Sequence, residues 1–94
     1  MTRNISVGIL GDFNEKFKSH WATTDAIQHS AKALGVYAER VWIPTPTLLT
    51  AEGEAEMARC DGLWASPGSP YESFTGMLCG IEFARTRDWP FLGT

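Results

Sequence analysis

The sequence predicts an α/β fold: a parallel β-sheet with helices on both faces. Three observations carry this. Short apolar runs recur at Ile5 to Leu10, Val36 to Ile43, Gly62 to Ala65 and Trp89 to Leu92. Between them lie polar stretches whose apolar residues fall at helical spacing. Turn-forming glycine and proline follow the first run at Gly11 and the third at Pro67-Gly68-Ser69-Pro70. Strands that alternate with helices bury both faces of a parallel sheet and join through right-handed crossovers.

Taken in order, Ile5 to Leu10 is a buried strand rich in β-branched residues, ending at Gly11-Asp12. Asp12 to Ser19 is a polar loop above its carboxyl end. A helix spans roughly Trp21 to Leu34, with Ala26, Ile27, Ala31 and Leu34 on one face. Ser19 or Thr23 caps its start, and Gly35 stands where a helix C-terminal glycine belongs. Val36 to Ile43 is the second strand, after which Pro44 and Pro46 end regular structure. A short helix within Thr47 to Arg59 is weakened by Gly53. Gly62 to Ala65 is a short buried strand. Ser73 caps a helix from about Phe74 to Arg87, with Met77, Leu78, Ile81 and Ala84 on its apolar face. Trp89 to Leu92 is a fourth strand that buries Phe91 and Leu92. By analogy with flavodoxin-like sheets, the strand order is 2-1-3-4.

Composition narrows the function classes. The 94 residues are at most one domain, 44% hydrophobic and 20% charged, with a net charge of −3. The eight basic residues form no stripe, which argues against nucleic acid as a partner. No apolar run approaches the ~20 residues that span a bilayer, and no signal peptide is visible. The expectation is a cytoplasmic protein away from membranes, with Cys60 and Cys79 as reduced thiols. The two cysteines have no metal-ligand or redox spacing, and G-x-G-x-x-G is absent. No metal or cofactor is expected.

Ligands of such sheets bind outside the carboxyl ends of the strands. Three places meet that condition: the loop from Gly11 to Ser19, the loop from Ser66 to Phe74, and whatever follows Thr94. In the second, Pro67 and Pro70 fix the backbone around Gly68 and Ser69. A glycine there lets the main chain approach a ligand, and a preorganised amide stabilises an oxyanion. A plain β-turn accounts for the same composition. No serine sits in a G-x-S-x-G context. His29 reads as solvated, and His20 as a loop residue within reach of a ligand. Cys79 reads as a small buried hydrophobe, and Cys60 as inert at the amino end of its strand. Glu72 suits the start of a helix. Trp21, Trp42, Trp64 and Trp89 read as core or sheet-covering residues.

In order along the chain, several segments together resemble a known family. They are Ile5-Ser6-Val7-Gly8-Ile9-Leu10-Gly11, Ala33-Leu34-Gly35, Val41-Trp42-Ile43, Cys60-Asp61-Gly62-Leu63-Trp64-Ala65-Ser66-Pro67-Gly68, Phe83-Ala84-Arg85 and Trp89-Pro90-Phe91-Leu92-Gly93-Thr94. The chain resembles the N-terminal portion of a class I glutamine amidotransferase domain, and most closely the one at the C-terminus of CTP synthetase. The resemblance implies that residues 1–94 are part of a single domain of that kind. It implies a cysteine nucleophile directly after Thr94, activated by a His-Glu pair further on, so that the 94 residues alone are not competent. It assigns Gly68 the oxyanion-hole amide, and Pro67, Gly68, Ser69 and Pro70 the contacts to a small-molecule amide, L-glutamine in the family. It implies release of ammonia to a synthase partner. Because the chain opens on its first strand, it reads as a stand-alone relative.

One segment departs from the pattern. Where the family has Pro-Gly-Gly-Phe-Gly, this chain has Pro67-Gly68-Ser69-Pro70-Tyr71. Ser69 narrows the backbone angles available to glycine, and Pro70 removes an amide donor. These two residues favour an alternative, a non-catalytic binding or interaction module on the same fold. A flavodoxin-like binder of flavin or nucleotide is a third reading. A sheet that ended at the fourth strand would leave an open edge, so a homo-oligomer is expected.

Overall fold

The computed structural model describes residues 3–66 and 71–93. Its order is β1 (Arg3–Leu10), α1 (Lys18–Leu34), β2 (Val36–Ile43), a 3-10 helix (Thr45–Leu49), α2 (Ala51–Ala58), β3 (Gly62–Ala65), α3 (Phe74–Thr86) and β4 (Phe91–Gly93). The strands form one sheet in the order β2-β1-β3-β4, and every pairing is parallel. This is the α/β topology expected from the sequence.

Alternation along the strands divides the core into two layers. Leu10, Ile43, Leu63 and Ala65 point to one face, where Leu48, Met57, Met77, Phe83 and Ala84 cover them from the 3-10 helix, α2 and α3. Ile9 and Ala38 point to the other face, where Ile27 and Ala31 of α1 meet them. Burial deepens along β1, from exposed Arg3 to fully buried Ile9 and Leu10. The carboxyl end of the central strand is therefore its most rigidly packed part.

Local chemistry explains the boundaries. Gly35 ends α1 at φ 70°, and its N–H reaches the carbonyls of Ala31 and Lys32. Left-handed geometry of this kind suits glycine. Ser73 caps α3 as expected, its hydroxyl accepting from Gly76 N–H at 2.9 Å. Gly76 lets α3 lie against the 3-10 helix: a Cβ there would sit 1.9 Å from the Thr45 carbonyl oxygen. Gly53 does the same for α2 against Thr47. The glycine that weakens α2 as an isolated helix is what lets it pack.

Several expectations need correction. The segment after Pro44 is regular: Pro46 lies in the first turn of a 3-10 helix, where a missing N–H costs nothing. Neither Ser19 nor Thr23 caps α1. The helix starts earlier, after Phe17 and without a side-chain cap, and the Thr23 hydroxyl donates inside it to the Ser19 carbonyl. Leu34, Leu78 and Ile81 are exposed rather than core-facing, because α1 and α3 each present only a narrow stripe to the sheet. Trp21 is exposed too, its indole N–H held by the Glu15 carbonyl. The fourth strand starts at Phe91 rather than Trp89, and Phe91 and Leu92 are exposed on an edge with no described neighbour beyond it. Trp89 instead caps the α3 face, its ring tilted against Phe83 and its indole N–H donating to the Cys60 carbonyl.

Candidate functional site

The carboxyl ends of β1, β2 and β3 meet around two side chains, Asp12 and Thr45. Asp12 follows β1 by two residues, and Thr45 follows β2 by two. Asp12 Oδ1 accepts from Thr45 N–H at 2.9 Å. Asp12 Oδ2 accepts from the Thr45 hydroxyl at 2.8 Å and from Glu72 N–H at 2.9 Å. The Thr45 hydroxyl, fully buried, in turn accepts from Ser73 N–H at 2.8 Å. One carboxylate and one hydroxyl thus bind three connections to a common point. The charged acceptor makes these bonds stronger than neutral ones.

Tyr71 lies beside this network. Its phenol donates to the Ser66 carbonyl at 2.8 Å. Burial first, and the Asp12 carboxylate second, push the Tyr71 phenol above the ordinary tyrosine range, so it remains a donor. Ser66 and Tyr71 bracket the four residues that sequence reasoning picked out. Pro67, Gly68, Ser69 and Pro70, like Thr94, lie outside the described residues. Their flanks do not. Ala65 pairs with Gly93 in the β3–β4 register, so the chain leaves β3 and β4 along the same edge of the sheet.

The Ser66 hydroxyl is buried and has no hydrogen-bond partner among the described residues. It sits against Gly11, where a Cβ would come within 2.2 Å of it. An unmade hydrogen bond of this kind costs about 1–3 kcal/mol.

His20 is not a loop residue. It lies in the first turn of α1 and is buried. Its Nδ1 accepts from Asn14 N–H at 2.9 Å, and its ring packs among Phe13, Phe17 and Trp42. That arrangement orders the loop after β1. His29 is exposed, as expected. Cys60 is buried, and burial followed by the nearby Glu56, Asp61 and Glu39 carboxylates pushes its thiol up. Its S–H faces the Glu56 carbonyl. Cys79 is half-buried rather than fully buried. It borders a cavity of about 440 Å³ between the 3-10 helix, α2 and α3, which includes neither Asp12 nor Ser66 in its lining. Among the described residues, no three His, Cys, Asp or Glu side chains form a metal-binding group.

Sequence reasoning singled out the Ser66–Phe74 loop but missed Asp12, Thr45 and Tyr71 as a unit. Asp12 and Thr45 do each stand just past an apolar strand, where side chains reach the ligand edge. That positional signal was available.

No family model matches the chain. Curated proteins do. CTP synthase from Pyrobaculum calidifontis is 30% identical over 92 residues, covering 98% of this chain and 17% of the relative. CTP synthase from Acidobacterium capsulatum is 29% identical over 92 residues, with the same coverage. In the structural comparison, the glutaminase domain of Trypanosoma brucei CTPS with bound acivicin superposes with a TM-score of 0.82 at 17% identity, over 95% of this chain and 35% of that one. The chain resembles part of CTP synthase in sequence and part of its glutaminase domain in fold. The sequence-level resemblance to class I glutamine amidotransferases stands. This chain spans about 17% of the length of the CTP synthases it matches, and at its identity to the T. brucei protein that superposition speaks for the fold. No helix of the described residues is long and apolar enough to cross a membrane.

Proposed function

We propose that this chain is part of a glutamine amidotransferase-type hydrolase, which releases ammonia from an amide, with L-glutamine as the substrate. The observation that carries the reading is the shared edge of β3 and β4. Ala65 faces Gly93 in register, which supports the reading because the chain leaves β3 and β4 at the same edge of the sheet. In this reading a cysteine nucleophile attacks the amide carbonyl, and the family resemblance assigns the Gly68 N–H to the oxyanion that forms. Such preorganised amides are worth a factor of about 10²–10³ in rate. The Cys nucleophile and its His-Glu partners belong to the longer protein, and neither Cys60 nor Cys79 serves in their place.

The protein works in the cytoplasm, where both free thiols stay reduced, and it hands ammonia to a synthase. Ser69 and Pro70 support a second reading, a binding module that keeps the fold without the chemistry, since Pro70 offers no amide donor. Incubating the full-length protein with L-glutamine separates the two. Release of equal amounts of glutamate and ammonia, stopped by a thiol-alkylating reagent, supports the hydrolase. Saturable glutamine binding with no release supports the module.

A further inference from the structure

We propose that Thr45 is a positioning residue for the amide-hydrolysing site, an inference that rests on the glutaminase reading above. The side chain stands at the carboxyl edge of the sheet but is fully buried, so it makes no contact with substrate itself. It acts through the start of α3.

The Thr45 hydroxyl has one proton and spends it on Asp12 Oδ2. Its lone pair then receives Ser73 N–H. Asp12 Oδ2 also receives Glu72 N–H. Two consecutive amides, at the point where the chain returns toward α3, are thus held by one relay rooted in β1 and β2. Tyr71, the residue before them, holds the Ser66 carbonyl at the exit from β3. Both feet of the connection after β3 are therefore fixed to the sheet, and Thr45 is the buried link between them and the second strand.

The surroundings leave this hydroxyl no alternative. Gly76 presses against the Thr45 carbonyl, so the residue cannot withdraw, and its side chain is sealed from water. A valine fills the same volume but has neither proton nor lone pair. It would leave Ser73 N–H unpaired and Asp12 short of a donor, with little change in packing. A serine restores both bonds.

The test is a kinetic comparison of the full-length protein with Thr45→Val, Thr45→Ser and Asp12→Asn, using L-glutamine and rates per titrated active site. Small displacements of a reacting group cost up to about 10²-fold. Thr45→Val is expected to lower kcat about tenfold with KM changed less than about threefold, and Thr45→Ser to recover most of that loss. Asp12→Asn, which keeps Thr45 packing intact, is expected to move kcat in the same direction, and it carries the test if Thr45→Val does not fold. Unchanged kcat in Thr45→Val or Asp12→Asn overturns the proposal while leaving the glutaminase reading in place. So does a Thr45→Ser variant as impaired as Thr45→Val. A wild-type protein that hydrolyses no glutamine overturns the glutaminase reading, and the proposal with it.

Discussion

The Ser66 hydroxyl occupies the space that a side chain on Gly11 would need. A Cβ at Gly11 would lie 2.2 Å from Ser66 Oγ and 3.2 Å from both Ser66 Cβ and Trp42. The ends of β1 and β3 therefore touch through a missing side chain, at the edge where the ligand is expected. Gly11→Ala should destabilise by about 1–3 kcal/mol through overpacking. Ser66→Ala should be neutral or stabilising by about 1 kcal/mol, because it removes a buried hydroxyl without a described partner. The double variant should recover part of the Gly11→Ala loss, since only the 3.2 Å contacts remain. Urea denaturation of the four proteins checks this. Strictly additive effects would mean that the two residues do not meet.

Asp12 accepts three hydrogen bonds from two different connections. Asp12→Ala leaves the Thr45 and Glu72 amides without their partner, and should cost about 3 kcal/mol. Amide exchange would show where: Thr45, Glu72 and Ser73 should lose protection before the core of β1 does.

Alkaline pH should destabilise the fold through two groups. Burial raises both the Cys60 thiol and the Tyr71 phenol above their ordinary values. The folded chain therefore holds these protons more tightly than the unfolded chain. The stability they contribute is full below the unfolded values, about 8.5 for cysteine and about 10 for tyrosine. It is lost as pH rises through the folded ones. Midpoints of denaturation should fall above about pH 8.5, and Cys60→Ala and Tyr71→Phe should each flatten part of that slope.

The strand arrangement was legible in the sequence because it rests on local signals. Val36–Ile43 and Gly62–Ala65 have the boundaries that their apolar runs suggest. Ser73 and Gly35 mark helix ends by chemistry that acts within a few residues. What could not be read depends on distant partners. His20 joins α1 because Phe13, Phe17 and Trp42 enclose it. Phe91 and Leu92 look like core residues, yet among the described residues only β3 pairs with their strand. Thr45 looks like any residue between two prolines until Asp12 and Ser73 converge on it from 33 and 28 positions away.

The edge strand predicts self-association. β4 exposes Phe91 and Leu92, and its outer edge has no strand partner among the described residues, which invites pairing. Residues 1–94 alone should form dimers or larger species in light scattering, and Leu92→Lys should reduce them. A monodisperse monomer at high concentration would show that this edge is harmless.

The most direct measurement is covalent capture. The full-length protein is treated with an electrophilic analogue of glutamine, digested, and mapped by mass spectrometry. The account predicts one label per chain, on the side chain immediately following Thr94, blocked by excess L-glutamine. A label on Cys60 or Cys79, or no label on a folded protein, would contradict it.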